Sequence, residues 1–122
     1  LHLINRPTHR LSGGEKRSVA IATVLSMTPD ILVMDEPTSS LDPRSRRRLI
    51  ELLKTFHHTK IIATHDLDMV LDLCERTIIM SEGSIIADGK SLDILINEEL
   101  LEKSCLEKPM RLQNCPVCGS IK

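Results

Sequence analysis

Apolar and polar positions fall into short blocks with two different periods along this chain of 122 residues. From Ser12, the residues Val19, Ala20, Ile21, Ala22, Val24 and Leu25 cover most of a helical circumference. That breadth predicts a well-buried helix reaching about Met27. Thr28-Pro29-Asp30 breaks it. Ile31 to Met34 is an all-apolar run with β-branched members, the pattern of a parallel strand covered on both faces. A polar turn from Glu36 to Asp42 follows, and Asp42-Pro43 reads as N-cap plus first helical residue. The next helix, to about His57, sets Leu49, Ile50, Leu52, Leu53 and Phe56 at helical spacing. Arg44, Arg46, Arg47 and Arg48 fall on its solvated side. Ile61 to Ala63 predicts a second buried strand, and Asp66 to Cys74 a short helix. Thr77–Met80 and Ser84–Ala87 read as two strands joined at Glu82-Gly83. Ser91 is expected to cap a helix to about Asn97, with further helix to Lys103. Leu1 to Arg10 shows no clear period and reads as a loop entering Leu11, and the tail beyond Lys108-Pro109 reads as weakly structured. Strand and helix alternate from Ser12 to Leu73, the signature of an α/β layer fold.

Composition narrows the function classes. Lys plus Arg is 16 against 17 for Asp plus Glu, a net charge of -1. This balance offers no electrostatic footprint for nucleic acid. Phe56 is the only aromatic of the Phe, Tyr and Trp set, so no platform can stack successive bases. The longest uninterrupted apolar runs are four residues, whereas a membrane-spanning helix needs about 20. Four cysteines, unevenly placed, suit free thiols in a reducing compartment better than a disulfide framework. Leu1 reads as a cut edge, because initiator Met is removed only before small residues.

Three places concentrate chemistry. Ser12 and Glu15 are spaced as a capping box, which accounts for a helix start but not for Gly13 and Gly14. Each glycine in a helix costs about 1 kcal/mol relative to Ala. Glycines at that cost suit close approach of an anion such as phosphate to bare first-turn amides. Asp35 and Glu36 end an apolar strand, where ligands of α/β sheets sit. Successive strand positions point in opposite directions, so one carboxylate can hold Mg²⁺ while the other orients a water. The plainer alternative is a polar strand end turned to solvent. Thr64-His65-Asp66 ends the second apolar strand. There Thr64 or Asp66 can cap the next helix with His65 merely at the surface, or His65 can serve a site at the strand ends.

Together these stretches resemble the motifs of ATP-binding-cassette ATPases. Leu11-Ser12-Gly13-Gly14-Glu15-Lys16 is similar to the signature motif, and Ile31 to Thr38 to the Walker B strand. Ser39-Ser40-Leu41-Asp42 resembles the D-loop and Thr64-His65-Asp66 the switch-histidine loop. All four stand in family order, within about Arg10 to Leu95. The run Lys16 to Ala22 and the tail Leu112 to Gly119 look most like the ATPase subunits of cobalt/nickel energy-coupling-factor importers. The resemblance implies ATP and Mg²⁺ as cofactors. Asp35 would support Mg²⁺, Glu36 would polarise the attacking water, and His65 would sense the γ-phosphate. Ser12, Gly13 and Gly14 would touch the γ-phosphate of a nucleotide held mainly by a second ATPase subunit, and Asp42 would communicate across that interface. Glu15 stands where many family members have Gln.

The family's P-loop, G-x-x-x-x-G-K-[ST], does not occur in these 122 residues. Gly89-Lys90-Ser91 imitates its end, but Ser84 stands where the first glycine belongs, and the triplet follows the signature motif instead of preceding it. The expectation is therefore an α/β fold: a partial P-loop NTPase domain with mainly parallel strands, flanking helices and a short C-terminal hairpin. Residues 1–104 would be the C-terminal portion of a nucleotide-binding domain and 105–122 a Cys-containing tail. Cys115 and Cys118 form half of a zinc knuckle, for which Cys105, and Cys74 or a His, are the available further ligands. The expected function is an ATP-hydrolysing subunit at the cytoplasmic side of the membrane, bound to transmembrane subunits and with no nucleic-acid partner. The alternatives are a non-catalytic module that pairs with a complete ATPase, and a non-transport cassette ATPase of DNA repair or translation.

Overall fold

Helix α1 (Gly13–Ser26) starts where its caps say it will. In the computed structural model, which describes residues 7–113, a 3-10 turn at Thr8–Arg10 precedes it and Ser12 is its N-cap. Thr28 takes a left-handed backbone (φ 46) at the break. Strand β1 (Ile31–Asp35) then runs parallel to β2 (Thr59–Ala63), in register from Ile31 beside Thr59 to Asp35 beside Ala63. The crossover between them is α2 (Pro43–Lys54), capped by Asp42 and ending three residues before the expected His57. Its buried stripe is Leu49, Ile50 and Leu53, while Leu52 lies outside. Arg44, Arg47 and Arg48 face solvent.

Three burial expectations fail in this first unit, residues 1–63, the first in β2, expected to be buried, where Ile61 and Ala63 are exposed and Ile62 is half-buried. Strand β1 alternates, with Leu32 and Met34 buried but Ile31 and Val33 exposed, so the sheet is covered on one face only. Helix α1 contains no fully buried residue, although its apolar circumference is wide. Both elements carry the composition of doubly covered structure and meet protein on one side.

The second unit, residues 64–122, has its own core. Helix α3 (Leu67–Leu73) leads into an antiparallel hairpin, β3 (Arg76–Ser81) and β4 (Ser84–Lys90). Glu82 and Gly83 both have positive φ (48 and 75), the backbone that a two-residue hairpin turn demands. Helices α4 (Ser91–Leu95) and α5 (Glu98–Lys103) close over it, so that Val70, Ile79, Ile94, Leu95 and Leu101 form one cluster. Ser91 is not the cap of α4. It is the first helical residue, buried, with its hydroxyl accepting a 2.7 Å bond from Thr77 and its amide donating to the carbonyl of Glu75. Gly89 and Lys90 end a strand, which removes the P-loop imitation. Just past Pro109, Met110–Leu112 forms a 3-10 turn that the expectation of a weakly structured tail does not include. Asp68 accepts the amides of Met110 and Arg111, and Arg111 makes a two-pronged ion pair with Asp72.

Candidate functional site

The signature turn is preformed. Ser12 Oγ accepts the Glu15 amide at 3.2 Å, and a Glu15 carboxylate oxygen accepts the Ser12 amide at 2.8 Å. This reciprocal box satisfies two donors and leaves the amides of Gly13 and Gly14 in the first turn, where the helix itself offers them no carbonyl. Space is open around Gly13: a Cβ there would meet nothing within 4 Å. The cap and the anion reading are thus compatible.

The carboxylate pair sits at the C-terminal end of β1. Asp35 faces the uncovered side of the sheet and is exposed. Glu36 is half-buried, with a left-handed backbone (φ 43) and its amide bonded to Ala63 of β2 at 2.8 Å. The left-handed turn at Glu36 ends the strand's alternation directly after Asp35. Arg17 of α1 donates to the carbonyls of both residues, at 2.7 Å for Asp35. Nothing in the sequence pattern singles out Arg17, because its partners lie 18 and 19 positions away. A cleft of about 610 Å³ opens between α1 and β1, with Gly13, Lys16, Arg17, Asp35, Ser39 and Ser40 on its polar side.

Asp42 works as a cap. One carboxylate oxygen accepts the amides of Arg44 and Ser45, each at 3.0 Å, and the other accepts the Ser45 hydroxyl at 2.5 Å. The Ser45 hydroxyl first, then the Ser45 amide, holds its pKa below the ordinary carboxylate range. His65 and Thr64 open the second unit. His65 is exposed, Thr64 accepts the Asp66 amide, and Asp66 caps α3 through the Met69 amide at 3.0 Å. Ser12, Gly13, Gly14, Asp35, Glu36 and Asp42 all belong to the first unit, whereas His65 belongs to the second. Cys115 and Cys118 lie outside the described residues. Cys74 is half-buried and Cys105 exposed, and no group of three His, Cys, Asp or Glu is placed to hold a metal among the described residues.

A family profile described as "AAA domain, putative AbiEii toxin, Type IV TA system" matches residues 2–72, more than half of the chain. A Geobacter sulfurreducens protein named "Putative ABC transporter ATP-binding protein" is 64% identical over 97% of this chain. The chain belongs to the ATP-binding-cassette ATPases. An energy-coupling factor transporter ATP-binding protein of Clostridium perfringens is 43% identical over 88% of the chain. The solved structure of CbiO1 from Clostridium perfringens, described as part of the ABC transporter complex CbiONQ, superimposes with a TM-score of 0.66. It is 42% identical and covers 84% of this chain and 42% of its own. The chain thus spans about half the length of the curated relatives it matches, 47% for the Geobacter protein and 39% for the energy-coupling factor protein. The cassette fold is a partial P-loop NTPase domain here. Its residues fit the family's cofactors. The open amides at Gly13 suit a phosphate oxygen, and a single exposed Asp35 suits Mg²⁺, which keeps waters and phosphate oxygens beside one or two carboxylates.

Proposed function

We propose that this chain supplies the signature, Walker B, D-loop and switch-histidine portion of an ATP-hydrolysing subunit that energises import across a membrane, with cobalt or nickel as cargo. The observation that carries the reading is the union, within one unit, of a capped helix start with open glycine amides and a strand end bearing Asp35 and Glu36. Phosphoryl transfer calls for positioning and charge stabilisation, which these groups offer. Gly13, Gly14 and the Ser12 hydroxyl contact a γ-phosphate, Asp35 supports Mg²⁺, Glu36 polarises the water and His65 reports loss of the phosphate. Asp42 works through the placement of α2 at the interface with a second ATPase subunit. The assembly sits on the cytoplasmic side of the membrane against transmembrane subunits. No helix among the described residues is long and apolar enough to cross a membrane.

The test is a fusion. The half of the Geobacter relative that this chain does not match is joined in front of it, and ATP turnover is measured. Turnover that falls at least a hundredfold in Glu36→Gln supports the reading. A folded, ATP-binding fusion that turns nothing over overturns it. A second reading rests on the preformed, reciprocally capped signature turn: the chain donates it to a complete ATPase. Mixing the unfused chain with the full Geobacter relative separates the two. Stimulation that disappears in Gly13→Asp supports this second reading.

A further inference from the structure

The contacts around Arg17 extend the proposed function and rest on it. Arg17 lies one turn beyond the signature glycines, half-buried, on the helix that presents them. Its guanidinium reaches the carbonyls of Asp35 and Glu36. The carbonyl of Glu36 also accepts the Ser39 amide at 3.1 Å, and the Glu36 amide is held by Ala63. Every main-chain polar group of Glu36 is therefore engaged, and it is engaged in a left-handed conformation that costs a non-glycine residue free energy. Surrounding bonds have to hold such a backbone in place. Of these, the Arg17 bond is the one that comes from α1. A second contact ties the same turn to the D-loop. A Cβ added to Gly14 would stand 3.3 Å from Cδ2 of Leu41, so the helix start packs directly on Leu41.

We propose that Arg17 is a positioning residue that fixes the backbone, and hence the carboxylate direction, of Glu36 from the signature helix. It touches no phosphate. Through it, engagement of the Gly13 and Gly14 amides at a nucleotide held by the second subunit is transmitted to the water-polarising carboxylate of the chain's own site. The guanidinium suits this task because one planar, permanently charged group spans two adjacent carbonyls.

The test uses the full chain, labelled for NMR. The three-bond amide–Hα coupling and the ¹³Cα shift of Glu36 report its left-handed φ. Arg17→Met keeps the apolar stem and removes the donors. It is expected to move both Glu36 markers toward extended values while Leu49 and Leu53 signals stay in place, and Arg17→Lys is expected to restore them in part. Unchanged Glu36 markers in a folded Arg17→Met chain overturn the proposal. If Arg17→Met does not fold, Arg17→Lys decides: a partial shift supports it, and identity with the parent chain overturns it. In the fusion described above, Arg17→Met is expected to lower kcat about ten- to a hundredfold with KM for ATP unchanged. A raised KM with kcat intact would mean direct nucleotide contact and overturn the positioning role. The NMR arm needs no ATP, so it decides on Arg17 even if the fusion never turns over.

Discussion

Asp42 carries its structural role in one side chain, and that role is pH-dependent. Three donors, the amides of Arg44 and Ser45 and the Ser45 hydroxyl, converge on its carboxylate and depress its pKa. A carboxylate with a lowered folded-state pKa adds stability above its unfolded value and loses it as pH falls through the folded one. The Arg44 and Ser45 amides are therefore expected to keep their protection factors down to about pH 4 and to lose them progressively below, whereas in Asp42→Asn the protection factors stay the same across the range. Amide exchange between neutral and acid pH checks this. Asp42-Pro43 and Ser12-Glu15 were legible because a cap depends on residues three apart. Ser91 misled for the opposite reason: its partners, Thr77 and Glu75, lie across the hairpin and draw it into the helix as a buried residue. Arg17 stayed invisible because its acceptors are carbonyls, and any residue has one.

At the scale of elements, α1 shows a conflict between stability and use. Gly13 has ordinary helical surroundings and open space where a Cβ would go. Gly13→Ala is therefore expected to stabilise α1, by up to about 1 kcal/mol, which raises the melting temperature. The same methyl obstructs the amide that an anion approaches. Stimulation of the full Geobacter relative, or turnover of the fusion, is expected to fall even as the chain becomes more stable. Thermal unfolding and turnover on one preparation check both signs, and a stabilised variant with full turnover would remove the reason offered for the glycine. Element positions themselves were readable from period and breakers: all four strands and the major helices occur where the pattern puts them. Coverage was not readable. The run Ile31 to Met34 reports how apolar its environment is to be, not which element supplies it, and in this chain protein covers only the Leu32 and Met34 side.

That uncovered side governs the behaviour of the whole molecule. Parallel strands are found with both faces covered. Here Ile31, Val33 and Ile61 share one face of the β1–β2 pair and remain 58%, 70% and 55% exposed. On α1, Val24 and Met27 are exposed as well. A patch of this kind is removed from water by whatever apolar surface it meets. For the chain by itself, other copies are the available surface, so sedimentation velocity is expected to show mass rising with protein concentration. Val33→Lys places a charge at the centre of the patch, at a site exposed enough that folding is little affected. It is expected to return the chain toward the monomer with an unchanged circular dichroism spectrum. Adding the unmatched half of the Geobacter relative is expected to have the same effect on the parent chain, because it offers the patch a complementary surface. If Val33→Lys associates as strongly as the parent, the contact lies elsewhere, and the exposed face of β1 is not what drives it.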